Sequence, residues 1–326
     1  RIGKIADSTT VMDFDPEEKK RKTSVSTSVY ALELDGHKLN IIDAPGLFDF
    51  AGGVSEALSA ADSAVIAVSG KSGLTTGAKQ SFQKARALKK AGAFFVGKLD
   101  STHAHFYRVI SSLVANYGAV ICPVVIPYIE NDEVKSYIDL ITNKAYACDG
   151  LELKELRMPV SNEADEMRSM LLEAIATADD ALMEKYFAGE EFTPEEIIEG
   201  LKKGVTAGEI CPVFAGVQQT GAAVPLMVDT LLQILPSAAD AVCRFEDGEE
   251  KAFDENGENA LFVFKTIADP FVGKLSYFRV LSGKIKNDTR LVNNRTGDEE
   301  RLSKIMWLKG GKQEDAGEII AGDIGS

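Results

Sequence analysis

The stretch Gly36–Asp62, GHKLNIIDAPGLFDFAGGVSEALSAAD, constrains the rest of the chain more than any other. Leu39, Ile41 and Ile42 follow Gly36 in a short apolar run, the pattern of a buried strand. Asp43, Ala44, Pro45 and Gly46 then form a D-x-x-G turn, and Val54, Ala57, Leu58 and Ala61 recur behind it at helical spacing. Strand, acidic turn and helix in that order fit a layered α/β fold, in which ligand groups gather at the carboxyl ends of strands. An acid placed there can hold Mg²⁺ through water, and the glycine N–H can meet a terminal phosphate. Ordinary strand-turn-helix corners produce the same four positions, so the turn needs support from its flanks.

Composition narrows the classes. At 326 residues the chain has room for more than one domain, and 26% charged with 45% hydrophobic residues is ordinary for a globular protein. No apolar run approaches the roughly 18 residues of a membrane span and no signal peptide opens the chain, so no membrane partner is expected. Cys122, Cys148, Cys211 and Cys243 are scattered without a C-x-x-C pair, which fits reduced thiols and a cytoplasmic location. His37, His103 and His105 supply no metal set. A net charge of −14 opposes nonspecific binding to nucleic acid, and no free DNA partner is expected. Lys19, Lys20, Arg21 and Lys22 form the one clear basic run, readable as a solvated loop or as a local basic surface.

Taken in order, Val11–Lys22 is polar with no sustained period and is expected to be a mobile loop. Ser24–Leu34 alternates and hairpins at Asp35-Gly36 into the strand already described. Further strands are expected at Asp62–Ser69, Ala93–Val96 and Ala119–Pro127, with helices over Gly77–Ala91 and Phe106–Tyr117. Tyr128–Ala147 reads as two short strands and Ser161–Tyr186 as one long amphipathic helix. Thr193-Pro194-Glu195-Glu196 is a capping box that starts a helix ending near Gly204, and Cys211–Ala215 is the last strand of the sheet. Pro236-Ser237 marks a boundary. Beyond it, turn signals at Asp247-Gly248, Asn256-Gly257, Asp269-Pro270, Ser282-Gly283, Thr296-Gly297 and Gly310-Gly311 punctuate short strands, as in a closed β-barrel.

The flanks supply the support. Upstream lies Thr9–Ser28, TTVMDFDPEEKKRKTSVSTS, and downstream Ala93–Asp100, AFFVGKLD, with DAPGLFDF between them. The series continues through DALMEKYFAGEEFTPEEI (Asp180–Ile197) and FVFKTIADPFVGKLSYFRVLSGKI (Phe262–Ile285). In order and spacing it resembles translation elongation factor G over nearly the whole chain, most closely the divergent second group of that family. The resemblance implies a P-loop GTPase-type doubly wound α/β sheet over residues 1–236, with an inserted α+β subdomain at about 128–210. A translation-factor β-barrel is implied over 237–326. No G-x-x-x-x-G-K-[ST] occurs. The family's first strand, phosphate loop and first helix are therefore expected to be missing, as are its later domains, in a piece of a longer protein.

The resemblance also assigns roles. Val11–Lys22 corresponds to the first switch, and Ser24 stands where the family has a metal-binding threonine, so Ser24 and Asp43 are the expected Mg²⁺ ligands. Gly46 is expected to face the γ-phosphate of GTP. Leu47 replaces the family's water-positioning histidine and has no hydrogen-bonding atom, so no catalytic residue is assigned, and Leu47 is expected to pack under the following helix. The base-reading N-K-x-D becomes Gly97, Lys98, Leu99 and Asp100: Asp100 can still accept from guanine and Lys98 can lie along the base, but the asparagine amide is gone. The family's further base contact aligns with Gly216, Val217 and Gln218, where main-chain N–H groups are expected to serve. The function implied is a GTP/GDP switch of elongation factor G type acting on the ribosome in translocation. A non-hydrolysing ribosome-binding paralogue and a ribosome-protection GTPase remain as alternatives.

Overall fold

The computed structural model describes residues 2–244, 249–269 and 273–326. Helix α1 spans Pro16–Arg21, strands β1 and β2 span Ser28–Leu34 and His37–Asp43, and α2 spans Ala51–Ala60. Then come β3 (Ser63–Ser69), α3 (Thr76–Ala87), β4 (Ala91–Gly97), α4 (Phe106–Tyr117) and β5 (Ile121–Glu130). The meander β6 (Glu133–Asp139), β7 (Lys144–Asp149) and β8 (Glu152–Leu156) leads into α5 (Asn162–Ala178), α6 (Asp180–Phe187) and α7 (Pro194–Ala207). Strand β9 (Cys211–Ala215) and α8 (Val224–Ile234) follow. Short strands complete the chain: β10 (Val242–Arg244), β11 (Glu250–Ala252), β12 (Ala260–Asp269), β13 (Gly273–Ser282), β14 (Lys284–Lys286) and β15 (Thr289–Val292). The last five are β16 (Glu299–Leu302), β17 (Met306–Lys309), β18 (Lys312–Asp315), β19 (Glu318–Ile320) and β20 (Ile324–Gly325). The turn expected at Asp247-Gly248 lies outside the described residues, as does Pro270 of the Asp269-Pro270 turn.

Two compact units result, one formed by Ser63–Leu235 with Ile2 and one by Gly3–Asp62 with Pro236–Ser326. The first is built on a seven-stranded sheet in the order β3-β4-β9-β5-β6-β7-β8. Strands β3, β4, β9 and β5 run parallel, and the ladder continues antiparallel from β5 through β8. The sheet is therefore mixed, and the segment expected as a separate insertion begins as an extension of the same ladder. Ala93 and Phe94 point to opposite faces of β4 and both are fully buried, so helices cover the sheet on both sides. Phe82 of α3 packs on Phe94 at 4.7 Å and on Tyr117 at 4.6 Å, an aromatic wedge between sheet and helices.

Helix boundaries follow local chemistry. Helix α7 starts at the Thr193 capping box as expected and runs to Gly208, whose left-handed φ of 74° closes it. The single long helix expected over Ser161–Tyr186 is broken. Asp179 takes an extended conformation (φ −148°, ψ 121°), ends α5, and accepts from the Ala181 and Leu182 N–H groups to cap α6. Helix α3 stops at Ala87 and not Ala91, because Ala91 and Gly92 are taken into β4.

The second unit joins the β1–β2 hairpin to the C-terminal strands. Its four-stranded sheet has the order β18-β17-β1-β2, with Tyr30 paired to Lys309, so strands on either side of Pro236 share one sheet. Val29 is buried in a cluster with Met306, Leu308 and Tyr277, and the Gly310 N–H donates to the Val29 carbonyl. The unit division thus crosses Pro236, because apolar contacts of the hairpin lie with β17. The remaining strands form antiparallel pairs, of which β12–β13 is the longest, with β13–β20, β14–β19 and β15–β16 beside it. Two buried cations tie this part together. Lys265 of β12 donates to Ser26 Oγ and the Thr27 carbonyl, and Arg279 of β13 donates to the Ala60 carbonyl and both Asp62 oxygens.

Candidate functional site

Asp43, Gly46 and Ser24 lie in the second unit. Asp43 ends β2, and its carboxyl is pushed up to about 6, first by burial and then by the charges of Asp13 and Glu18. Ser24 Oγ donates to Asp13 Oδ1 at 2.7 Å. Glu18 is 2% exposed and its carboxylate is seated among main-chain donors: Asp15 N at 3.1 Å, Val25 N at 3.1 Å and Ser26 N at 3.2 Å. The segment expected as a mobile loop therefore contains helix α1, held by a capping box at Asp15 with Pro16 at its first position. The signal was in the sequence: Asp15-Pro16-Glu17-Glu18 repeats the logic of Thr193-Pro194-Glu195-Glu196. It was obscured because a six-residue polar helix shows no apolar period.

Gly46 is exposed, a Cβ there would meet nothing within 4 Å, and its N–H has no partner among the described residues. Gly53, at the start of α2, is the opposite case. A Cβ would stand 2.8 Å from Pro45 Cδ and 2.8 Å from Thr27 Oγ1, which itself donates to the Gly53 carbonyl. The acidic turn is thus clamped against Thr27 at its far end and open at Gly46. Leu47 does not pack under α2: it is 49% exposed, beside Phe48 at 71%. With φ −79° and ψ 139°, Leu47 is extended and caps a short 3₁₀ turn, which turns its side chain away from the core.

The raised pKa of Asp43 has a measurable consequence. An unfolded aspartate titrates at about 3.9. Between about pH 4 and pH 6 the folded chain holds a proton that the unfolded chain has lost, so stability falls as pH rises through that window. The Asp43→Asn variant removes this slope. It is expected to exceed the parent by about 1–2 kcal/mol at pH 7 and to match it at pH 4, allowing for partial screening by solvent. Thermal unfolding at the two pH values checks this.

Lys98, Asp100, Gly216, Val217 and Gln218 lie together in the first unit, at the carboxyl ends of neighbouring strands. Val96 pairs with Ala215 and Ser69 with Gly97, so the loops after β3, β4 and β9 emerge side by side. Gly70 N donates to the Gly97 carbonyl at 2.8 Å, and a Cβ on Gly70 would collide with Leu99 Cδ2 at 2.7 Å. Leu99 is buried under that glycine, which leaves Lys98 and Asp100 exposed on either side. Lys98 adopts a left-handed φ of 57°. Its N–H donates to Gln218 Oε1 at 3.0 Å. Phe95 fills the space beneath, its ring 3.0 Å from a Cβ on Gly97 and 2.8 Å from one on Gly216. The main-chain N–H groups of Gly216 and Val217 are already given to the Val96 and Ala222 carbonyls, so of the three expected donors only Gln218 keeps an unengaged N–H among the described residues. The side chain of Gln218 was not anticipated as a participant. Nothing local marks it, since its partner is 120 residues away.

A profile described as "Elongation factor Tu GTP binding domain" matches residues 1–237, and one described as "Elongation factor G domain 2" matches residues 258–326. The chain belongs to the translational GTPase family. The crystal structure of ttk003000868 from Thermus thermophilus is similar over 100% of this chain, with a TM-score of 0.85 and 30% sequence identity. The chain spans 47% of that protein's length. Among the described residues no three His, Cys, Asp or Glu side chains converge to hold a metal, and no helix is long and apolar enough to cross a membrane.

Proposed function

We propose that the protein is a guanine-nucleotide switch of the elongation factor G type that works on the ribosome. The observation that carries the reading is the corner Gly97–Asp100, hung on β4 beside the β9 loop with Lys98 and Asp100 exposed and Leu99 anchored. An ionised Asp100 is an acceptor pair that matches the N1 and N2 donors of guanine, and the Lys98 stem offers an apolar face to the base. The same reading gives Gly46 a role, since its open N–H suits a phosphate oxygen.

The donor set at Asp43 fits Mg²⁺. Asp43 and Ser24 are hard oxygen donors, and a carboxyl that burial and two neighbouring acids hold up near 6 gains from a cation. When bound, the ion supplies charge neutralisation at the phosphates. Ser24 Oγ gives only its proton to Asp13 Oδ1, so its lone pairs stay available to a cation.

Titration of the encoded full-length protein with fluorescent GDP and ADP analogues tests the reading. GDP is expected to bind at least about tenfold more tightly than ADP. Asp100→Asn replaces part of the acceptor pair by donors and is expected to shift preference by about tenfold or more toward xanthosine diphosphate, whose C2 carries a carbonyl. Equal binding of GDP and ADP, with no effect of Asp100→Asn, overturns it. A second reading, a ribosome-binding paralogue that does not hydrolyse GTP, is favoured by Leu47, exposed and without a polar atom where the reaction needs one.

A further inference from the structure

We propose that the side chain of Gln218 is a positioning residue of the base corner, holding Lys98 in the left-handed turn that sets Lys98 and Asp100 outward. The inference deepens the guanine-nucleotide reading and rests on it. Three main-chain or apolar restraints act within the corner: Gly70 N on the Gly97 carbonyl, Ser101 N on the Lys98 carbonyl at 3.2 Å, and Leu99 under Gly70. None of them touches the Lys98 N–H. That group points to the β9 loop and is met by Gln218 Oε1 at 3.0 Å. Because the contact presents a donor, the amide must turn its oxygen toward it, which fixes the orientation of the side chain.

Position 97 completes the argument. A Cβ on Gly97 would stand 2.8 Å from Gln218 Oε1, closer than such atoms approach, so the absence of a side chain at 97 is what admits the glutamine. Gln218 is exposed, and burial therefore does not hold it in place. The hydrogen bond and the pocket left by Gly97 do. A left-handed conformation is costly for a lysine, and a dedicated acceptor on its N–H offsets that preference. The corner thus has no side chain at its first position and is braced from the loop of the neighbouring strand.

The test compares Gln218→Leu, which keeps the volume and removes the acceptor, with Gln218→Glu, which keeps the acceptor. Two quantities are read in the full-length protein: hydrogen exchange at the Lys98 amide without nucleotide, and affinity for fluorescent GDP and ADP analogues. Gln218→Leu is expected to exchange Lys98 about tenfold faster or more and to lose about tenfold in GDP affinity, with an unchanged melting temperature. Gln218→Glu is expected to hold both within about threefold of the parent. Unchanged Lys98 exchange in Gln218→Leu, or equal losses in the two variants, overturns the proposal. If the parent binds neither nucleotide, the guanine reading fails by itself, and the exchange of Lys98 still decides what Gln218 holds.

Discussion

The Leu47→His variant of the full-length protein is expected to hydrolyse GTP on ribosomes about 10²-fold faster or more than the parent. A group that orients the attacking water or moves its proton contributes on the order of 10²–10⁴ in rate. Leucine contributes nothing of the kind, since it has no donor or acceptor. The structure adds two reasons to expect the exchange to succeed. Leu47 is 49% exposed, so replacing it removes little buried apolar surface. Its extended backbone (φ −79°, ψ 139°) is open to any residue, so histidine meets no conformational cost. Multiple-turnover hydrolysis with and without ribosomes measures the effect. Fast, ribosome-stimulated turnover by the parent would show that another group positions the water.

Asp62→Ala is expected to cost the second unit roughly 3 kcal/mol, whereas Asp62→Ala combined with Arg279→Met should return close to the parent. Arg279 is 4% exposed and makes two 2.8 Å bonds to the Asp62 carboxylate and one of 2.8 Å to the Ala60 carbonyl. The Phe253 ring lies 4.2 Å from its guanidinium. Removing the acid leaves a buried cation with one carbonyl and a ring for company, which costs on the order of 3–5 kcal/mol for a fully buried pair. Asp62 is partly open to water, so the lower end applies. Removing the cation as well eliminates the uncompensated charge, and methionine fills the volume. Urea unfolding followed at Trp307, the sole tryptophan and a residue of β17, reads the stability of this unit directly. A double variant no more stable than Asp62→Ala would mean that the loss lies in packing around Asp62 and not in charge.

How far the sequence could be read depended on the range of the interaction. Helix Phe106–Tyr117 came out with both ends correct, because Val109, Ile110 and Leu113 repeat at helical spacing and are all buried. The Thr193 capping box and the β1–β2 hairpin at Asp35-Gly36 were equally plain, since every atom involved lies within a few residues. Asp179 was misread because an aspartate can sit on a helix surface or cap the next helix, and only the break in the backbone separates the two. The pairing of Tyr30 with Lys309 and the bonds from Lys265 to Ser26 and Thr27 join residues far apart in the chain. No local pattern encodes them. At the Gly97–Asp100 turn the strand end before it could be read, but the bond from Lys98 to Gln218 could not, because a lone exposed glutamine carries no signal until its partner is known.

The Phe95 ring sits against two glycines at once, and this restricts the order in which the corner can change. A methyl group at either 97 or 216 would press within 3.0 Å or 2.8 Å of the same ring. A smaller residue at 95 is therefore the first step toward a side chain at 97, whereas at 216 the Ala222 carbonyl, 2.9 Å from the same Cβ, still stands in the way. That first step exposes no new charge and breaks no hydrogen bond, so it is the easier opening. Change at this corner is accordingly directional: the floor shrinks, position 97 can then grow once Gln218 yields, and position 216 stays glycine while the Ala222 carbonyl faces it.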